Sequence, residues 1–150
     1  MDTRIAYIWV PLLAATLDLF AAPQYIPIKE RVRESRVVVV ARITRPRKVA
    51  TRISAHRLKI RLPIEVKETL KGKAPRKFEL PVIIEPRGYG NHLRAPPGPG
   101  IYILFLLQRG GKTQQSRPRK PKLVPYNPQT FFFLKYNARN MRDVTLHVLK

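Results

Sequence analysis

The sequence predicts an all-β chain, a small antiparallel barrel of five or six strands behind an apolar N-terminal helix, and three features carry that expectation. Four consecutive valines at 37–40 suit a pleated strand, because branching at Cβ restricts rotamers against the preceding turn of a helix. Residues 57–70 alternate, with Leu58, Ile60, Leu62, Ile64 and Val66 on one face and Arg57, Lys59, Arg61, Glu65 and Lys67 on the other. That period of two marks a half-buried strand. Residues 101–107 are apolar throughout, between Pro99-Gly100 and Gly110-Gly111, so this strand is expected to be covered on both faces.

Taken in order, the chain opens with a thirteen-residue apolar run at 5–17, shorter than the ~20 residues a bilayer span needs. Arg4 precedes it, Asp18 ends it, and Ala21-Ala22-Pro23 follows. A charged start, a short apolar centre and small residues at a cleavage point read as a secretory signal peptide over 1–22. Pro11 inside the run and Phe20 near the cut depart from that pattern. The alternative is a buried N-terminal helix of a cytosolic protein. The rest, 23–150, reads as one domain, long enough for a single core.

Residues 27–35 have helical composition and are expected to give one or two turns. Strand one follows at 37–43. The alternating segment 57–70 is strand two. Pro63 lies on its outward side and cannot donate to a ladder, which suggests an edge or a bulge. Residues 77–84 repeat the scheme, with Phe78, Leu80, Val82 and Ile84 inward, so the two segments form a hairpin-like pair. Residues 86–99, with their Pro and Gly, are loop, and lead into the strand at 100–107. Residues 110–128 are loop again, with the Pro-spaced basic run 117–122, which such spacing keeps extended. Strand five is expected at 130–136. Residues 143–149 lean towards a last strand, with a short helix as the other reading.

The charge is the dominant compositional fact: 30 Lys and Arg against 9 Asp and Glu, a formal +21. Residues 1–28 contain only Asp2, Arg4 and Asp18, net −1, so residues 29–150 carry +22. Such a surface attracts polyanions; arginine-rich composition combined with solubility would produce it too. The chain has no cysteine, which removes disulfides, thiolate metal sites and thiol catalysis together.

No motif for catalysis, a cofactor or a metal stands out. His56, His92 and His147 are scattered, and Ser35, Ser54 and Ser116 lie in no nucleophile-elbow setting. Gly110-Gly111-Lys112-Thr113 lacks the first glycine of a phosphate-binding loop and the helix that must follow it. Glu65 and Glu79 fall on outward faces of neighbouring strands, where Lys and Arg are expected to pair with them. The candidate anion-binding set is Arg57, Lys59, Arg61, Lys67, Tyr89 and Arg94: basic groups for phosphates, with Tyr89 and also Tyr102 as flat surfaces. The competing reading is a solvated strand face, with Tyr102 in the core.

Three stretches also resemble a known group. Residues 34–43 look like an opening residue pair followed by a hydrophobic strand. Ile64-Glu65-Val66-Lys67-Glu68-Thr69-Leu70-Lys71-Gly72 resembles a "V-x-E-x-L-K-G" strand end, and residues 100–106 resemble a "G-x-x-Y-L-L-F-L" strand. The group is the short secreted bacterial proteins whose domain is similar to the OB fold of tissue inhibitors of metalloproteinases and netrin modules. The resemblance spans roughly residues 30–136. It implies an exported OB-like barrel without enzymatic activity. It does not carry over protease inhibition, which uses an N-terminal cysteine that this chain lacks.

Two functions are therefore expected from the sequence. One is an exported, non-enzymatic binding module with a basic surface, its partner an anionic surface or polyanion. The other is a cytosolic OB-fold protein that binds single-stranded nucleic acid.

Overall fold

The computed structural model describes residues 25–46, 50–88, 92–110, 122–127 and 131–149. The expected signal peptide, 1–22, lies outside the described residues. The described chain is mostly β. It runs through helix α1 (Ile28–Glu34), strands β1 (Val37–Ile43), β2 (Thr51–Arg52), β3 (Leu58–Lys71), β4 (Lys77–Ile84), β5 (Gly100–Arg109), β6 (Lys122–Pro125) and β7 (Phe133–Lys135), and helix α2 (Ala138–Val148).

β1 is the centre of the sheet. It pairs antiparallel with β3 on one side and β5 on the other, and every residue of it except Arg42 is buried. This accounts for the four valines. β4 pairs with β3, while β6 and β7 pair with β5. The unbroken apolar run of β5 is covered as expected, with Ile103 to Leu106 wholly inaccessible.

The long strand β3 is shared among partners. Leu58 to Glu65 pair with β4, Ile64 to Lys71 pair with β1, and β2 adds at Leu58 and Lys59. Pro63 falls between the ends of the β2 and β1 ladders, where no strand asks it for an N–H. In the ladder with β1, Val38 faces Lys71 while Val39 faces Thr69, and Val40 faces Glu68 while Ala41 faces Val66. Leu70 and Lys67 are therefore unmatched, two bulges that bend the strand. The inside–outside alternation of β3 is lost over the same residues, from Val66 onward.

Closure is where the expectation of a barrel needs correcting. The pairings make β4 and β6 run in the same sense, since each is two antiparallel steps from β1. The two strands come within 8 Å between Cα atoms, yet among the described residues no hydrogen-bonded ladder joins them and the sheet is not closed. β6 has only four residues, and Pro125 on β6 and Pro81 on β4 have no N–H to give.

Three further expectations change. Seven strands are present among the described residues, because β6 lies in a segment that reads as loop and β2 in the stretch between the first two expected strands, where no element is expected. The expected fifth strand shrinks to Phe133–Lys135, while Phe132 is buried ahead of it and accepts from the Phe105 N–H at 2.7 Å. Residues 143–148, where a last strand is favoured over a short helix, belong to α2, and Leu149 is its C-cap. Asn137 caps that helix, its side chain accepting from the Asn140 N–H at 2.8 Å. Met141, Val144 and Val148 pack at helical spacing against the core. The expected short helix at 27–35 forms as α1. Its last carbonyls are held by Lys71, whose Nζ donates to Val32 at 2.6 Å and Arg33 at 3.2 Å.

Candidate anion-binding face

The alternation of β3 places Lys59 and Arg61 outward while Ile60, Leu62 and Ile64 are buried, and Arg57 is exposed just ahead of the strand. Glu79 on the neighbouring strand β4 and Glu85 just after it reach the same side. Arg61 Nη1 lies 3.3 Å from Glu79 Oε2, and Arg57 Nε lies 2.8 Å from Glu85 Oε1. Glu85 also lies 3.1 Å from His92 Nδ1, which ties the loop after β4 back to the start of β3. Glu65 and Lys67 pair along their own strand at 3.0 Å. That hydrogen bond, first, and then the charge of Lys67 hold the Glu65 carboxyl below the usual carboxylate range. The expected pairing of Glu65 and Glu79 with basic neighbours is present.

Of the six expected site residues, Arg57, Lys59 and Arg61 share one stretch of surface. Lys67 is on the same strand beyond Pro63 and Glu65, at one of the bulges. Arg94 is in the loop between β4 and β5, its Nε donating to Gly88 O at 2.9 Å. Tyr89 lies outside the described residues. Tyr102 is half-buried, its hydroxyl donating to Gly98 O at 2.9 Å and its ring edge-on to Phe133 at 5.7 Å. Both contacts hold it in the packing between β5 and β7.

The unladdered line between β4 and β6 opens into a groove of about 420 Å³. Phe78, Leu123 and Val124 give it an apolar lining, with Lys59, Arg61 and Lys122 beside them. Pro75, Pro81 and Glu79 complete it. Sequence reasoning missed Lys122 and its strand. The signal available was the short apolar pair Leu123-Val124 after the basic run, masked by prolines on either side.

A second polar cluster lies under α1. Arg31 is buried, 4% exposed, its Nε donating to Ile26 O at 2.8 Å. Its guanidinium lies 4.7 Å from the Phe131 ring centroid and 5.9 Å from that of Phe105, contacts that favour a cation on a ring face. Burial pulls the Arg31 pKa below its ordinary value. Nearby, the buried Tyr126 hydroxyl donates to Glu34 Oε2 at 2.5 Å. Burial first, then that hydrogen bond, push the Tyr126 phenol up to about 12. These groups pin α1 to β5 and to the chain after β6. Among the described residues no group of three or more His, Asp and Glu converges as a metal cluster.

Comparison with family models, curated proteins and solved structures finds no match to this chain.

Proposed function

We propose that the protein is an exported, non-enzymatic binding module that holds polyanions through the outer face of β3 and β4. The carrying observation is the exposed row Arg57, Lys59 and Arg61 on a chain of formal charge +21, beside a groove that adds Lys122. Support for a binding role comes from the acids of this face. Glu65, Glu79 and Glu85 each pair with a cation, a surface arrangement unlike the enclosed pocket that tunes a catalytic carboxylate. The strand order β4-β3-β1-β5-β6, with β4 beside β6, supports an OB-like architecture and so the resemblance to the secreted inhibitor-like domains.

The test is retention on a sulfated-polysaccharide resin. Neutralising Arg57, Lys59 and Arg61 together to Gln is expected to lower the eluting salt more than neutralising Arg117, Arg119 and Lys120, with circular dichroism checking the fold. Equal shifts would mean diffuse charge and would remove the site.

A further inference from the structure

We infer that the groove between β4 and β6 binds an acyl-chain anion, a single phosphate or carboxylate head on an aliphatic tail. This rests on the reading of the same face as anion-binding and adds a singly charged, tailed ligand in the groove beside it. The volume, about 420 Å³, falls in the roughly 300–1,000 Å³ range of small-ligand sites. Among the described residues, three cations line the groove against one carboxylate, Glu79, and that carboxylate is already paired with Arg61 at 3.3 Å. The remaining positive charge of Lys59 and Lys122 suits one anionic head. Both lysines are exposed, and neither makes an ion pair among the described residues.

The apolar lining decides between a tail and a base. Among the described residues of the lining, Leu123, Val124, Pro75 and Pro81 are aliphatic and Phe78 is the one aromatic side chain, so the groove offers more aliphatic surface than ring face. Stacking on nucleobases needs open ring faces. Tyr102, the described tyrosine considered for that role, is committed to Gly98 and Phe133. A flexible methylene chain needs only apolar surface, and removing each methylene from water contributes up to about 0.8 kcal/mol, a factor of nearly four in affinity.

The experiment titrates the full chain with octyl phosphate and decyl phosphate below their micelle concentrations, by calorimetry and by backbone amide shifts. Decyl phosphate is expected to bind about tenfold tighter than octyl phosphate, with shifts centred on Phe78, Leu123 and Val124. The double variant Lys59→Glu/Lys122→Glu, altered only at exposed positions, is expected to bind at least tenfold more weakly. Equal affinity for the two chain lengths, or adenosine monophosphate binding as tightly as decyl phosphate, overturns the inference. So do shifts centred on the exposed Leu146 of α2 and Leu149 at its C-cap. Resin retention is measured on the same protein: a chain retained but indifferent to decyl phosphate loses the acyl ligand and keeps the polyanion face. A chain that binds decyl phosphate while the resin test shows diffuse charge does the reverse.

Discussion

The Tyr126 hydroxyl, buried and donating to Glu34 at 2.5 Å, couples the stability of this protein to pH at both ends. The phenol pKa rises from 10.0 to about 12 on folding, so the native state favours the neutral ring. That contribution is complete below the unfolded value of 10.0 and is lost as pH rises through about 12. Glu34 moves the other way. The Tyr126 hydrogen bond, against some burial, lowers its pKa from 4.5, so its contribution is present above that value and is lost as pH falls through the lowered one. Urea denaturation across both ranges is expected to show Tyr126→Phe with a flatter alkaline limb and a flatter acid limb than the native sequence. Identical curves would mean the pair carries no linkage. Ser35, 1% exposed with its Oγ lacking any hydrogen-bond partner, is the opposite case. An unmet buried hydroxyl is costly, so Ser35→Ala is expected to raise the unfolding free energy by about 1 kcal/mol, measured the same way.

Elements show why local pattern reads some segments and misreads others. β1 and β3 were legible because their patterns leave no good alternative: four valines resist a helix, and five alternating apolar positions fit only a strand. In α2 the pattern was ambiguous. Asp143-Val144-Thr145-Leu146-His147-Val148-Leu149 alternates like a strand, yet Leu146 and Leu149 are exposed while Val144 is buried. The Asn137 cap and the seat offered by α1 and β3 select the helical period. The turn from β3 to β4 gives a test. Gly72 has φ of +73°, and a Cβ there would lie 2.3 Å from the backbone oxygen of Arg36. Gly72→Ala is expected to destabilise by about 2 kcal/mol or more, while Gly98→Ala, with nothing within 4 Å of its Cβ position, is expected to be nearly neutral. Denaturant midpoints compare the two.

At the scale of the whole molecule, the charge governs association. With 30 basic residues against 9 acidic, binding to a single-stranded polyanion is expected to weaken steeply with salt. Contact with about five phosphates would give a log–log slope of roughly −3.5. A slope near zero in a salt titration by fluorescence anisotropy would mean that the cations are not engaged. The candidate face was legible in part. The row Arg57, Lys59 and Arg61 follows from the period of β3 alone. That Arg57 and Arg61 are already paired with Glu85 and Glu79 depends on the β3–β4 register. That Lys122 joins Lys59 depends on bringing together residues 63 positions apart.

By itself the sequence determined the strand-forming core, the outward basic row, the absence of thiol chemistry and the excess of positive charge, since each is a matter of residue type and local period. Tertiary structure alone decided that α2 is a helix, that Lys122–Pro125 is a strand, and that β4 and β6 lie together with no ladder between them among the described residues. Those outcomes turn on which distant surfaces meet and which backbone groups find partners. A short or ambiguous segment adopts the conformation that buries its apolar side chains against what the rest of the chain presents.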